Sequence, residues 1–172
     1  MYKIAGVLCI LAGCAGWGST KIRQERERIR HLRMLFHIMG QMRSEISYGK
    51  HTLPEIALSL AEMNDKCYRM CFRRIYERTQ MESTKAFPEV WEAEMKSCLK
   101  QLPLREDEKR TVEELPKTLN FREENGQAER IGQAESFLEG RYRKAEEVCE
   151  NRSKMIRSVS ILTGLLLAIL LL

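Results

Sequence analysis

"QAERIGQAESFLEGRYRKAEEVCENRSKMIRSVSILTGLLLAILLL" occupies residues 127–172, and how it is divided decides the fold. Apolar or small residues recur at Ile131, Ala134, Phe137/Leu138, Tyr142, Ala145, Val148/Cys149 and Met155/Ile156. Steps of three and four place them on one face of a helix. No proline interrupts the stripe before the apolar run that starts at Ser158. The pattern therefore predicts one helix from about Gln127 to Leu172, roughly 65–70 Å long at 1.5 Å per residue. Its first part would pack on a helical bundle, and its last part, 158–172, would serve as a transmembrane anchor.

The other end of the chain carries a matching feature. Ile4 to Thr20 is uncharged, with Tyr2 and Trp17 near its two ends as interfacial anchors would be. As a helix it spans roughly 25 Å, against a hydrocarbon core near 30 Å. Behind it come Lys21, Arg23, Arg26, Arg28, Arg30 and Arg33; ahead of the second run come Arg152, Lys154 and Arg157. Lysine and arginine are retained on the cytoplasmic side of a membrane, so both flanks keep the middle of the chain inside, with only Lys3 opposing. The expected organisation is an N-terminal transmembrane anchor at 1–20, a cytoplasmic helical-bundle domain at 21–157 and a C-terminal anchor at 158–172. A competing reading rests on Leu11-Ala12-Gly13-Cys14, which fits a bacterial lipoprotein signal. Cys14 would then carry lipid, and an exported helical domain would bind the envelope. The six basic residues that would have to cross directly behind Cys14, and the unexplained second apolar run, favour the anchor.

The middle reads as helices throughout, with few glycines and prolines and no alternating strand pattern. Ile22, Ile29, Leu32, Leu35/Phe36, Met39, Met42 and Ile46 form a first amphipathic stripe that stops near Gly49, a candidate C-cap. Thr52 and Glu55 have capping-box spacing for a second helix with Pro54 in its first turn and Ile56, Leu60 and Met63 inward. A third helix would bury Cys67, Met70/Cys71 and Ile75. A fourth, started by Pro88, would bury Val90/Trp91, Met95, Cys98/Leu99 and Leu102. A fifth carries Val112, Leu115 and Leu119 and is kinked or shortened by Pro116. With the long last helix, the fold class is all-α, a bundle of about six helices between two membrane anchors.

Residues that could carry chemistry are few. His31 and His37 point apart at a spacing of six, and His51 lies in a loop; all three read as surface or rim side chains. Cys67 and Cys71 share a helix face and could touch a metal, but no histidine or carboxylate cluster accompanies them, so core packing is the better reading. Glu106-Asp107-Glu108 and Glu113-Glu114 read as solvated faces or as a dipole-favoured helix start. No glycine-rich phosphate loop, nucleophile elbow or triad pattern is present in the sequence. The expectation is no catalytic residue, no metal site and no cofactor. Basic residues gather beside the apolar ends: from Leu104 to Glu150 acidic residues outnumber basic ones, thirteen to nine. That is not the basic face with interleaved aromatics of a nucleic-acid binder, so no nucleic-acid partner is expected. Six cysteines without a CxxC pair suit a reducing compartment.

Several segments together resemble a known family, the stage III sporulation protein AB family of endospore-forming Firmicutes. "MRSEISYGKHTLPEIALSLAE" (42–62) is similar to the family's EI-x-YG-x-TPL-x-EA segment. "AFPEVWEAEM" (86–95) resembles its Ala-Trp-Glu helix start, "LPKTLNFREENGQAERI" (115–131) its LG-x-x-LG region, and "KMIRSVSILTGLLLAILLL" (154–172) its C-terminal anchor. The chain departs from the pattern where Thr52-Leu53-Pro54 replaces a threonine-proline pair and where Pro116 and Asn120 replace glycines.

The resemblance implies a bundle like the cytoplasmic domains of the F-type platform proteins of type II secretion and type IV pilus systems. It further implies a place on the mother-cell side of the outer forespore membrane, in a secretion-like channel, beside other membrane components of that channel. The implied partner is a cytosolic secretion-type ATPase, the stage III sporulation AA protein. Candidate contacts for it are Glu45, Tyr48, Gly49, Pro54 and Glu55.

Overall fold

In the computed structural model, the described backbone covers residues 2–48, 51–62, 66–81, 86–119 and 124–171; side chains 1–21, 124–125, 153, 156–157 and 160–172 also lie outside the description. Seven helices and no strand occur among the described residues: α1 (Tyr2–Tyr48), α2 (Leu53–Leu60), α3 (Lys66–Met81), α4 (Phe87–Leu99), α5 (Glu106–Glu113), α6 (Leu115–Thr118) and α7 (Glu124–Leu171). The expected fifth helix is two. Pro116 sits in the first turn of α6, where its missing N–H is harmless, and the chain turns at Glu114.

The two long helices organise everything else. α1 has 47 residues and α7 has 48, about 70 Å each. The first apolar run and the amphipathic stripe behind it thus belong to one helix that begins at Tyr2, unbroken through the basic flank. The helix expected from Gln127 onward is found as one piece. α1 and α7 lie antiparallel: Arg33 pairs with Glu146 at 2.6 Å, Phe36 meets Tyr142 at a ring distance of 5.8 Å, and Arg43 reaches Glu135 at 3.1 Å. Each step along α1 is matched by a step back along α7. At Gly40 the approach is close, since a Cβ there would stand 3.1 Å from Glu135 Oε1.

The apolar stripe of α1 is buried at Leu32, Leu35, Met39, Met42 and Ile46, as periodicity predicts, and Ile38 joins it. Ile131, Ala134 and Leu138 of α7 face it in the same core. Helices α2 to α6 cover the other side. In α3 the buried face is Tyr68, Cys71, Phe72 and Ile75, one position round from the expected Cys67/Met70 edge; Met70 is exposed. The two rings carry more apolar surface than a cysteine and a methionine and take the interior. Phe72 and Phe87 both pack on Trp91, and the indole Nε1–H of Trp91 donates to the Val112 carbonyl at 2.9 Å, tying α4 to α5. Met63 and Gly49, expected as an inward residue and a helix cap, fall outside the described residues.

Two polar residues sit where the sequence reading places solvent. Glu108 is fully buried (0 % exposed), not part of a solvated acidic face. Its Oε2 accepts from Arg28 Nε at 3.1 Å and from the Arg105 backbone N–H at 2.9 Å, and its Oε1 accepts from a second Arg28 nitrogen. Arg28 also reaches Glu25 at 3.0 Å. The Glu108 hydrogen bonds outweigh the cost of burial and push the Arg28 guanidinium above its ordinary pKa. Arg28, one of the flank of charges behind the first apolar run, thereby ties α1 to the start of α5. His31 is also buried, its Nδ1 3.2 Å from the Tyr68 hydroxyl, and is not the rim residue its spacing suggests.

No helix among the described residues is long and apolar enough to cross a membrane. The runs read as anchors, 4–20 and 158–172, carry most of their side chains outside that description, so the flanking transmembrane helices of the sequence reading are unsupported by the structure.

Breaking a buried ion pair strands the surviving charge, at a cost of about 3–5 kcal/mol. Glu108→Ala should therefore destabilise the protein by about that much in urea unfolding of the full chain in detergent. The double change Arg28→Met with Glu108→Leu, which removes both charges, should recover most of the loss.

Candidate partner-contact site

The turn that joins α1 to α2 gathers the residues with the clearest potential to meet a partner. α2 folds back on α1 through Ile46, Ile56, Ala57 and Leu60, all buried. A polar relay runs beside this contact: Gln41 Nε2 donates to Ser59 Oγ at 3.5 Å, and Ser59 Oγ donates to Glu45 Oε1 at 3.3 Å. The relay holds Glu45 half-buried on the flank of the turn.

Glu55 is set by the helix start. The Thr52 backbone N–H and hydroxyl both donate to Glu55 Oε2, at 2.7 and 2.9 Å, as the capping-box spacing predicts. Pro54 occupies the first turn, where its fixed φ suits the helix. These Thr52 bonds, helped by the nearby His51, hold the Glu55 carboxyl below its ordinary value near 4.5. His51 stands between the two acids, its Nε2 3.8 Å from Glu45 and its Nδ1 3.9 Å from Glu55. Tyr48 projects from the last turn of α1 with 88 % of its surface exposed, and Leu58 is 43 % exposed on α2.

The structure thus brings Glu45, Tyr48, Pro54 and Glu55 to one turn; Gly49 falls outside the described residues. The sequence reading missed His51 as a member, although its i, i+4 spacing to Glu55 is a legible signal. Glu55 and the exposed Tyr48 ring, with His51 against both acids and an exposed leucine on α2, make a mixed polar and apolar surface of the kind found at the rim of protein contacts. The flank charges are spread elsewhere: Arg23, Arg26, Arg30 and Arg152 are exposed, Arg33 and Lys154 pair with Glu146 and Glu150, and the surroundings of Lys21, Arg157 and Cys14 lie outside the described residues.

Cys67 and Cys71 turn to different neighbours on α4. Cys67 turns toward Cys98 of α4, with Sγ atoms 3.2 Å apart, while Cys71 is buried against Met95 at 3.8 Å. Among the described residues no group of three His, Cys, Asp or Glu side chains could hold a metal ion.

Because Glu55 has a lowered pKa, the stability it contributes is complete above the ordinary carboxylate value and is lost as pH falls through its folded value. Amide exchange at Ile56 and Ala57, corrected for intrinsic rates, should show protection that declines below about pH 4.5. Glu55→Gln should lower protection at pH 6 and flatten that decline.

Comparison with known proteins gives a consistent answer. The sequence profile described as Stage III sporulation protein AB matches residues 3–172. The chain is 26 % identical over 171 residues to Stage III sporulation protein AB of Bacillus subtilis (strain 168), covering 99 % of each. A solved structure titled Stage III sporulation protein AB is similar with a TM-score of 0.64 at 22 % identity, over 72 % of this chain and 97 % of that one; at that identity it speaks for the fold alone.

Proposed function

This chain belongs to the stage III sporulation protein AB family, which gives it a sporulation-related role, and from that premise we propose that it is a non-enzymatic, membrane-anchored platform. In this reading it docks a cytosolic secretion-type ATPase, the stage III sporulation AA protein, and couples it to membrane components of a channel between mother cell and forespore. Both apolar runs sit in the outer forespore membrane and the bundle lies in the mother-cell cytoplasm.

One observation carries the reading, and it is the register of α1 on α7. Arg33 is level with Glu146 and Arg43 with Glu135. Continued toward the chain ends along two unbroken helices, the same register sets residue 20 beside about residue 158. The two apolar runs would then lie side by side at one end of the bundle, each with its basic flank at the same level. Positive charge at that level favours the cytoplasmic face. The turn at Glu45, Tyr48 and Glu55 lies about 28 residues further along α1, roughly 40 Å from the runs, where a cytosolic partner has access. A push on that turn would be transmitted through rigid helices rather than through a linker.

The exported-lipoprotein reading keeps the same bundle but places it on the opposite side of the membrane, with lipid on Cys14. Labelling separates the two. Ser83→Cys, in the polar connector between α3 and α4, should resist a membrane-impermeant maleimide in intact cells and react after permeabilisation. Reaction in intact cells, or lipid on Cys14, would overturn the platform. Docking is checked by co-purifying the full chain with the AA ATPase in several nucleotide states. Retention that drops at least tenfold in a Glu45→Gln, Tyr48→Ala, Glu55→Gln triple variant is expected for an anchored contact patch. No retention of the wild-type chain in any state would contradict it.

A further inference from the structure

Between α1, α7 and the loop before α5 the structure holds a cavity of about 200 Å³ that the docking reading does not use. It opens beside the Arg28–Glu108 pair, where Arg28 and Glu25 are already committed to one another. Three other cations line it: Arg105 from the loop, and Lys144 and Arg152 from α7. All three side chains are exposed and form no ion pair among the described residues. Arg141, a further lining cation, is bonded to Asp107. The remaining wall is apolar, made by Ile22 and Val148 among others, and Val148 is itself half-exposed.

The spacing on α7 is regular. Lys144, Val148 and Arg152 fall four apart, so they share one face with an apolar residue between two cations. A cavity with three uncommitted cations, one committed acid and an apolar flank is complementary to an anion that carries a non-polar substituent. A phosphate group, with more charge and more acceptor oxygens than a carboxylate, can serve several guanidinium and ammonium groups at once through charge-assisted hydrogen bonds.

We infer that this cavity is a binding site for a phosphate-bearing anion, held by Arg105, Lys144 and Arg152 with its organic part against Ile22 and Val148. The shared chemistry has two sources, the headgroup of an anionic phospholipid or a free phosphate compound. The lipid source rests on the membrane placement proposed above; the site itself does not. Ile22 and Arg152 lie two and six residues from the apolar runs, roughly 3 and 9 Å along their helices. The headgroup layer is about 5–8 Å deep on each side, so a lipid phosphate would be within reach of the cavity mouth. The apolar wall favours the lipid, because inorganic phosphate has no use for it. Bound there, an anionic lipid would bridge α1, α7 and the start of α5.

The test uses the full chain in neutral detergent, titrated calorimetrically with dihexanoyl phosphatidylglycerol, dihexanoyl phosphatidylcholine and inorganic phosphate in separate runs. Saturable binding of the phosphatidylglycerol, absent for the zwitterionic lipid, is expected. Lys144→Gln with Arg152→Gln should weaken it about tenfold or more, and Arg105→Gln alone should weaken it in the same direction. Arg73→Gln with Arg74→Gln, an equal change of charge on α3, should leave it in place. Inorganic phosphate binding as tightly, with the same sensitivity, would uphold the site and assign it to a free phosphate. No saturable binding of either anion, or binding that the α3 variant weakens as much as the cavity variants do, would overturn the inference. Because micelles impose no sidedness, failure here is distinct from failure of the membrane topology, which the labelling reads independently.

Discussion

The antiparallel register between α1 and α7 is the constraint from which the rest of the structure follows. Helices in folded domains draw most of their stability from packing an amphipathic face, and here an apolar stripe on part of each long helix finds the other. Leu32, Leu35, Met39 and Met42 on one side and Ile131, Ala134 and Leu138 on the other supply it. Ion pairs at Arg33–Glu146 and Arg43–Glu135 add little as isolated surface contacts. Their value is directional, since each is made in only one alignment of the two helices. The shorter helices then have a fixed platform to pack on.

The buried Arg28–Glu108 pair adds a second constraint. α5 is short and strongly polar, so it has little apolar surface with which to define its own position. Glu108 fixes it by accepting from both Arg28 and the Arg105 backbone. The pair also aligns the loop before α5 with the basic stretches inside α1 and α7. Arg105 of that loop and Lys144 and Arg152 of α7 thereby line one cavity.

Much of this was legible in the residues themselves. The stripes of α1 and α7 follow from the spacing of their apolar positions, the Thr52–Glu55 cap from a three-residue step, and the break near Pro116 from the missing N–H. What periodicity could not supply were contacts between residues far apart in the chain. Glu108 sits in a run of three acids that looks solvated; its step of four to Val112 marks it as the inward one of the three, but its partner is eighty positions away, beyond the reach of any periodicity. His31 and Tyr68 are hidden from one another for the same reason. On α3 the phase shifted by one because hydrophobicity alone ranks Met70 as inward, whereas packing favours the larger Tyr68 and Phe72. At the candidate contact turn, Glu45, Tyr48 and Glu55 follow from reading the turn after the first helix as an exposed polar face, and the geometry adds His51 between the two acids.

The proposed role needs both long helices to leave the bundle together, and disulfide scanning across the apolar runs in native membranes reads that directly. With Thr20→Cys fixed and single cysteines placed in turn from 148 to 168, in a background without the native cysteines, continuation of the register predicts a crosslinking maximum near residue 158. Yield should fall on either side and rise again one helical turn away. Uniformly absent crosslinking, or a maximum displaced by more than two turns, would mean that α1 and α7 part company above the bundle, and the platform would lose its mechanical basis.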